Sequence, residues 1–123
     1  IMRVGTDIVE VERIIQALTN SNSCFLQRVF THAEINKINP HDPNYERASG
    51  FWAAKESIVK AVGYGFNNKI RFHDIEVTHD EYGKPAFLIT GRLKEILDEQ
   101  GVANISLSIS HCRTHAIAVT ILC

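Results

Sequence analysis

The sequence lacks an excess of charge of either sign. Its 123 residues include 13 lysines and arginines and 14 aspartates and glutamates, which gives a formal net charge of −1. We therefore expect no broad nucleic-acid binding through a basic face. No apolar run approaches membrane-spanning length, and the first residues lack the layout of a signal peptide, so we expect no association with a membrane.

Cysteine is also scarce. Cys24, Cys112 and Cys123 form no CxxC pair, which favours a reducing cytoplasm over a disulfide framework or a zinc site. There are no internal repeats and no low-complexity segments. With 45% hydrophobic and 22% charged residues, the composition is that of a globular protein, and the length predicts one domain over residues 1–123.

The most informative stretch is residues 51–65, which predicts the end of a long helix followed by a glycine-rich loop. We place this helix at about 44–62, because Gly63 supplies a natural stop. At about 100° per residue, one stripe of side chains should face a core. That stripe consists of Ala48, Phe51, Ile58 and Val62. A second stripe consists of Trp52, Glu56 and Gly63, with Lys60 at its edge.

Three features of this helix bear on function. Glu56 and Lys60 are four residues apart, which predicts either a surface ion pair or an acid and a base at a site. Lys55 falls inside the apolar stripe, where a charge is costly unless it reaches solvent or meets an anion. The following Gly63-Tyr64-Gly65 suits a loop whose backbone lies against phosphates, although it is too short to be a P-loop.

The first half of the chain is predicted to be mainly helical. A short strand over 3–8 precedes an amphipathic helix from about Glu10, and residues 20–23 form a polar break. Thr31 and Glu34 have the spacing of a capping box, so a short helix should begin near His32 and end before Pro40.

The second half changes to a period of two. Residues 70–78 and 85–90 are predicted strands around a turn at 80–83, and a helix near 93–97 should end at Gly101. Residues 105–109 alternate apolar residues with serines, and 115–122 alternate again, which predicts a terminal hairpin. The fold class is α+β, with an antiparallel sheet mainly in the second half.

Two carboxylates and one imidazole are candidates for chemistry. Asp7 near the end of the first strand and Glu56 on the helix would together suit Mg²⁺, if the fold brings them together. Alternatively, Asp7 caps the first helix and Glu56 lies on the surface. His111 ends the serine-lined strand, where it could accept a proton or contact a phosphate, or could be an ordinary turn histidine.

Four motifs occur in a recognisable order. They are residues 5–14 (GTDIVEVERI), residues 52–56 (WAAKE) with Lys60, Gly63 and Gly65, residues 74–76 (DIE) with 83–85 (GKP), and residues 108–111 (SISH). In this order and spacing the chain resembles, over nearly its whole length, the holo-acyl-carrier-protein synthases, the small bacterial 4′-phosphopantetheinyl transferases.

The resemblance implies a 4′-phosphopantetheinyl transferase-like fold, an antiparallel sheet with a long helix packed on it and helices mainly in the N-terminal half. It also implies a Mg²⁺-dependent enzyme that transfers the 4′-phosphopantetheine group of coenzyme A to a serine hydroxyl of apo-acyl carrier protein, releasing adenosine 3′,5′-bisphosphate. Such proteins are cytoplasmic and are typically homotrimers with active sites between subunits.

The resemblance also assigns residues. Asp7 and Glu56 match the metal ligands, and these two with Lys60 and His111 match the catalytic set. The residues expected to contact coenzyme A are Lys55, Lys60, Gly63, Gly65, Lys84, Pro85 and His111. The residues expected to contact the carrier are Arg13, Phe25 and Arg28. Glu56, Asp7 and a metal-bound water remain alternative bases for the attacking serine, with His111 as a possible assistant.

The chain departs from the family pattern in two places. Phe51-Trp52 stands where the family commonly has Arg-Phe, so a cationic contact is missing or supplied elsewhere. Residues 20–24 lack the arginines that often steer the acidic carrier, so carrier recognition is expected either to be weaker or to rest more on Phe25, Leu26, Arg13 and Arg28. The alternatives from other classes are a non-catalytic module that binds coenzyme A or a nucleotide, and a purely structural oligomer subunit.

Overall fold

The chain folds as an α+β protein in a computed structural model that describes residues 2–20, 24–67 and 69–123. The helices of the described residues are α1 (Val11–Asn20), α2 (Cys24–Val29), α3 (His32–Ile38), α4 (Tyr45–Val62) and α5 (Gly91–Glu99). The strands are β1 (Arg3–Glu10), β2 (Ile75–His79), β3 (Pro85–Ile89), β4 (Ile105–His111) and β5 (His115–Leu122). None of the described helices is both long and apolar enough to cross a membrane.

The strands form two antiparallel sheets. One sheet has the order β1-β5-β4, with Asp7 opposite Ala118, and the other pairs β2 with β3. The long helix α4 packs against β1 and β5. The predicted antiparallel sheet is therefore confirmed for the second half of the chain, but it also takes in the first strand.

Helix α4 has the predicted bounds and the predicted buried face. Its first turn is capped by Asn44, whose Oδ1 accepts a hydrogen bond from the Arg47 N–H at 3.0 Å, and it ends at Gly63 with φ of 97°. The apolar stripe is confirmed, because all four of its side chains are buried in the core: Ala48, Phe51, Ile58 and Val62.

Gly5 allows β1 to lie directly against α4. A Cβ atom at this position would overlap the carbonyl oxygen of Ser57, so only glycine permits this approach. Ser57 also ties α4 to β5, through a 2.7 Å hydrogen bond between its Oγ and Thr120 Oγ1. Because alternate residues of a strand share a face, Asp7 also faces α4.

Two predicted boundaries were wrong. The strand placed at 70–78 begins only at Ile75, because Phe72–Asp74 form a 3₁₀ turn in which the Arg71 N–H donates to Asp74 Oδ2 at 3.2 Å. Strand β1 continues to Glu10, because its pairing with β5 continues to His115. Asp7 therefore lies inside the strand, and the alternative in which it caps the first helix is wrong.

The remaining local predictions agree with the structure. The capping box is present: Glu34 N–H donates to Thr31 Oγ1 at 3.3 Å, and Thr31 N–H donates to the Glu34 carboxylate at 2.9 Å. The β2–β3 turn, α5 and the terminal hairpin are also found. Of the polar break at 20–23, Asn20 is the last residue of α1, and 21–23 lie outside the described residues.

Candidate functional site

A cleft of about 390 Å³ between β1, α1 and α4 holds the two predicted carboxylates. We call it the carboxylate cleft. Its polar lining consists of Asp7, Glu56, Lys60 and Arg13, and its apolar lining includes Phe25 and Trp52. The structure therefore brings together two residues predicted to bind metal, one predicted to contact phosphate and two predicted to contact a carrier.

The secondary structure explains why these side chains converge. Trp52, Glu56 and Lys60 follow one another at intervals of four residues and therefore share a face of α4. Asp7 meets that face from β1, and its Oδ1 lies 3.0 Å from Lys60 Nζ. Lys60 thus pairs with a carboxylate on another element, so the interpretation of Glu56 and Lys60 as a simple surface pair on one helix is not supported.

The carboxylates of the cleft are not fully neutralised by Lys60. Asp7 Oδ2 is buried and has no hydrogen-bond partner among the described residues. Burial, and second the nearby charge of Asp7, raise the pKa of Glu56, while Lys60 acts in the opposite direction. Two carboxylates that repel each other across a partly buried space favour a cation between them.

The donor set fits a hard divalent cation. Mg²⁺ is usually held by one or two carboxylates and completes its coordination with water and phosphate, and Asp7 and Glu56 would supply that number of carboxylates. The unpartnered Asp7 oxygen is a ready ligand atom. Across the described parts of the chain, no three His, Cys, Asp or Glu side chains cluster as a larger metal cage would require.

A second cavity, of about 490 Å³, contains His111. It is lined by four basic side chains, Lys37, Arg47, His79 and His111, together with Phe51, Gly83 and Pro85 among others. We call it the basic cavity. Asp7 and Glu56 are not among its lining residues. Within one chain, the structure therefore separates His111 and Pro85 from the carboxylate cleft.

The basic cavity concentrates positive charge. Burial lowers the pKa of His79, and the charges of Lys37 and Arg47 lower it further. Lys37 Nζ lies 3.3 Å from His79 Nδ1, a contact that suits a neutral imidazole accepting from the ammonium. Among the described residues, the one polar contact of the His111 side chain is long, 3.8 Å from its Nδ1 to Glu46 Oε1.

The sequence analysis missed Lys37, Arg47 and His79. A signal was present for one of them, because Arg47 precedes Phe51 by four residues and shares its helix face. Phe51 itself is buried in the core, with its ring centroid 5.9 Å from that of His79. Arg47 thus supplies a cation beside the position where the expected arginine is absent.

Lys55 lies in neither cavity. Its fully buried ammonium is 2.8 Å from Glu34 Oε1 and donates to the carbonyl oxygens of Ile75 at 2.6 Å and Phe72 at 3.1 Å. The other Glu34 oxygen accepts from the Val77 N–H at 2.7 Å. Of the two alternatives given for Lys55, the structure shows the one in which it meets an anion rather than reaching solvent. A contact to coenzyme A does not fit this buried position, because the ammonium already binds the Glu34 carboxylate and two backbone carbonyl oxygens.

Glu34 is a fourth residue whose role the sequence analysis missed. From the sequence, its only assigned role was to close the capping box with Thr31. In the structure the same carboxylate also forms an ion pair with Lys55. Burial lowers the pKa of Lys55, and the Glu34 charge opposes that shift.

The other predicted residues lie outside both cavities. Gly63 and Gly65 have positive φ values of 97° and 63° and form the turn that follows Lys60. Lys84 is exposed in the β2–β3 turn, where its backbone N–H donates to Asp80 Oδ1 at 2.9 Å. Arg28 is exposed in the last turn of α2.

Comparisons with known proteins agree on one family. Residues 3–120 match the model of the 4′-phosphopantetheinyl transferase superfamily. A curated holo-[acyl-carrier-protein] synthase of Thermoanaerobacter sp. (strain X514) is 48% identical over 118 residues, covering 96% of this chain and 84% of the relative.

Solved structures give the same answer. The crystal structure of holo-[acyl-carrier-protein] synthase from Neisseria meningitidis has a TM-score of 0.88 at 32% identity, covering 98% of this chain and 96% of that one. The Helicobacter pylori synthase in complex with coenzyme A has a TM-score of 0.86 at 29% identity, covering 98% and 99%. The predicted fold is thereby confirmed.

Proposed function

Because this chain belongs to the 4′-phosphopantetheinyl transferase superfamily, as an enzyme of its holo-[acyl-carrier-protein] synthase group, we propose that it transfers 4′-phosphopantetheine from coenzyme A to a serine hydroxyl of apo-acyl carrier protein. The observation that carries the proposal is the convergence of Asp7, Glu56 and Lys60 in one cleft. In this reaction the serine oxygen bonds to the phosphorus that carries the pantetheine arm. The bond from that phosphorus to the leaving group breaks, and adenosine 3′,5′-bisphosphate is released.

The carboxylates have two tasks in this proposal. Asp7 and Glu56 would hold Mg²⁺, which when bound there offsets the negative charge of the pyrophosphate. Glu56 is also our candidate for the base, because its carboxylate lines the cleft that the acceptor serine must enter. The serine proton would move to a Glu56 carboxylate oxygen.

Lys60 is our candidate for the phosphate contact. Its side chain is 53% exposed, whereas that of Asp7 is 13% exposed, so the lysine can leave Asp7 when a phosphate enters the cleft. The Gly63 and Gly65 turn immediately follows and lets the backbone approach coenzyme A. Trp52 and Phe25 form an apolar wall that limits water beside the reacting groups.

We further propose that three copies of the chain assemble, so that each active site lies between two subunits. The outer face of the β1-β5-β4 sheet exposes large apolar side chains that a neighbouring copy would cover: Val4, Ile8 and Ile117. Assembly would also bring His111, Lys84 and Pro85 of one subunit toward the carboxylate cleft of the next. The three cysteines are free thiols, which accords with action in the reducing cytoplasm. We also propose that residues 1–123 form one domain.

The reaction is tested by the intact mass of an apo-acyl carrier protein incubated with the enzyme, coenzyme A and Mg²⁺. We expect a gain equal to the phosphopantetheine arm, lost when the acceptor serine is changed to alanine or when EDTA removes the metal. Saturable binding of coenzyme A, without modification of any carrier tried and without release of adenosine 3′,5′-bisphosphate, would instead indicate a non-catalytic binding module.

The shared site is tested by mixing two inactive variants, Asp7→Asn and His111→Ala, under conditions that exchange subunits. If one subunit supplies Asp7 and its neighbour His111, random mixing restores about one quarter of the wild-type activity. Mixing that restores nothing, between variants shown to exchange subunits, would mean that both residues act within one chain.

A further inference from the structure

The basic cavity has a surplus of positive charge. Lys37 on α3 and Arg47 on α4 supply two permanent cations. His79 and His111 line the same cavity from the ends of β2 and β4. Its described lining residues include no aspartate or glutamate, and within the described ranges no carboxylate lies at ion-pair distance from Lys37 or Arg47. The cavity therefore suits an anion that comes from outside the chain.

The contact between Lys37 and His79 fixes the state of the imidazole. Lys37 Nζ lies 3.3 Å from His79 Nδ1. An ammonium group can only donate hydrogen bonds, so Nδ1 accepts, and the ring is neutral with its proton on Nε2. In this arrangement Nδ1 cannot donate to an anion, and one donor of Lys37 is used by the imidazole.

The charges beside His79 oppose its protonation. Burial lowers its pKa, and the charges of Lys37 and Arg47 lower it further, while Asp80 acts in the opposite direction. An anion placed beside the two cations offsets their charge and so removes part of the opposition. Binding of an anion and protonation of His79 therefore favour each other.

The other elements around the basic cavity add charges of both signs. His111 of β4 has its Nδ1 3.8 Å from Glu46 Oε1 on α4. Lys84 in the β2–β3 turn is exposed and is not among the described lining residues. In the part of the chain that the structure describes, Lys37 alone forms a hydrogen bond with the His79 side chain. Lys37 is thus the group that an incoming anion separates from the imidazole.

Coenzyme A carries one phosphate group that the carboxylate cleft does not use. In the proposed function its pyrophosphate lies at Asp7 and Glu56, and the released adenosine 3′,5′-bisphosphate keeps a second phosphate on the ribose 3′ oxygen. A phosphate monoester of this kind carries a charge of about −1.5 to −2 at neutral pH. The proposed assembly brings His111, and with it the basic cavity, toward the cleft of the next subunit, beside the nucleotide end of coenzyme A.

We propose that His79 binds the 3′-phosphate of coenzyme A and takes up one proton from the solvent as that phosphate enters the basic cavity. The inference rests on the proposed function, because it requires the nucleotide of coenzyme A to lie between two subunits. Protonated Nδ1 becomes a donor and separates from the Lys37 ammonium, so that both groups donate to phosphate oxygens. His79 is therefore a binding residue whose charge appears together with the ligand.

The linkage between binding and pH has a definite sign. In the free protein the pKa of His79 lies below its ordinary value of 6.5, and a phosphate beside the ring raises it. A group whose pKa is higher in the bound state tightens binding as the pH falls through that higher pKa. We therefore expect the affinity for coenzyme A to rise from about pH 8 downwards, until the phosphate itself is protonated near about pH 6.

The first test counts protons. Coenzyme A is titrated calorimetrically into each protein at about pH 7 in two buffers of different ionisation enthalpy, which gives the number of protons bound with the ligand. We expect the wild type to take up about 0.3–0.7 proton more than His79→Gln. Subtraction of the variant removes the contribution of the ligand's own phosphates. The matched control is His41→Gln, at an exposed histidine in the loop before α4, and it should equal the wild type.

Two further measurements identify the groups that are coupled. 3′-Dephospho-coenzyme A lacks the monoester phosphate, so the difference in proton uptake between the wild type and His79→Gln should vanish with this ligand. His79→Lys keeps a permanent charge, and it should bind coenzyme A at about pH 8 at least as tightly as the wild type, without the extra proton.

The imidazole itself is followed by ¹H–¹⁵N NMR of the wild type. Adenosine 3′,5′-bisphosphate should raise the titration midpoint of His79 by about one unit or more. Because this measurement uses the unmodified protein, it tests the proposal even if a variant fails to fold.

Three results would overturn the proposal. They are equal proton uptake by the wild type and His79→Gln, a His79 midpoint that the bisphosphate leaves unchanged or lowers, and the same extra uptake with 3′-dephospho-coenzyme A. In each case the wild type still binds coenzyme A and modifies the carrier, so only the role of His79 is rejected. If the wild type binds no coenzyme A and modifies no carrier, the failure belongs to the proposed function instead.

Discussion

Lys55 and Lys60 lie on the same helix, and each pairs with a carboxylate from another element, at 2.8 Å and 3.0 Å respectively. Lys55 and Glu34 are completely buried, whereas the Lys60 side chain is 53% exposed. Its partner Asp7 has one buried oxygen to which no described residue donates a hydrogen bond. The buried pair is saturated by internal partners, and the exposed pair is not.

This difference separates structure from function along one helix. The Lys55–Glu34 pair connects α4 to α3 and to the segment that leads into β2, and it has no capacity left for a ligand. The Lys60–Asp7 pair opens onto a cleft that also contains Glu56, a carboxylate whose pKa is raised. Motif residues that are neighbours in sequence can therefore have opposite roles.

Breaking the buried pair should have the largest effect. Lys55→Met leaves Glu34 as an unpaired buried charge, and we expect the free energy of unfolding to fall by about 3–5 kcal/mol. Urea denaturation at neutral pH measures this loss. The double variant Lys55→Met/Glu34→Gln should recover much of it, because no unpaired charge remains.

The matched control is Lys60→Met, for which we expect a change in unfolding free energy within about 1 kcal/mol, since the lysine is half exposed. Equal destabilisation by the two lysine variants would contradict the contrast drawn here between the two pairs.

Removing a charge from the carboxylate cleft should lower activity and leave stability nearly unchanged. We expect Glu56→Gln and Lys60→Met each to lower kcat by about 10²–10³, because each removes a charge that faces the reacting phosphates. Steady-state transfer to an apo-carrier measures the loss, with far-UV circular dichroism to show that the fold persists. Glu95→Gln, at an exposed position of α5, is the control and should turn over normally. Unchanged kinetics for Glu56→Gln would remove that residue from the site.

The smallest effect should be on the titration of Glu56. Burial and the charge of Asp7 raise its pKa above the ordinary value of 4.5, so the ionised form of Glu56 destabilises the folded protein. As the pH falls through the raised pKa, Glu56 is protonated and this destabilisation is relieved. Metal binding needs the ionised form and is lost over the same range. Asp7→Asn should lower the Glu56 midpoint, followed by carboxyl ¹³C NMR, without returning it fully to 4.5, since burial remains.

A Glu56 midpoint that is the same in the wild type and in Asp7→Asn would mean that the two carboxylates do not interact. The contrast between the saturated and unsaturated pairs would then lose its electrostatic basis.

Local patterns predicted most of the fold. Helix α4, the capping box at Thr31, the terminal hairpin and α5 all follow from periodicity and from stop residues that act within a few positions. The start of β2 could not be predicted in this way. The Arg71 N–H donates a hydrogen bond to Asp74 Oδ2, and this contact stabilises a 3₁₀ turn within an apolar segment whose pattern resembles a strand.

The site was predictable only in part. Glu56 and Lys60 share a helix face by spacing, but their meeting with Asp7 depends on the close packing of β1 on α4 that Gly5 permits. The partnership of Lys55 with Glu34 joins residues 21 positions apart in the chain, and local pattern carries no sign of it. Residues of the basic cavity come from five elements, α3, α4, β2, β3 and β4, and of those that the sequence analysis missed there only Arg47 left a trace in the sequence.

The central claim is that Asp7 and Glu56 hold one divalent cation together. Calorimetric titration of Mg²⁺ into the wild type, Asp7→Asn, Glu56→Gln and the double variant, each saturated with coenzyme A, tests it directly. We expect each single variant to lose most of the binding and the double variant to be little worse, because two ligands of one ion are not independent. Wild-type Mg²⁺ affinity in either single variant would contradict the account.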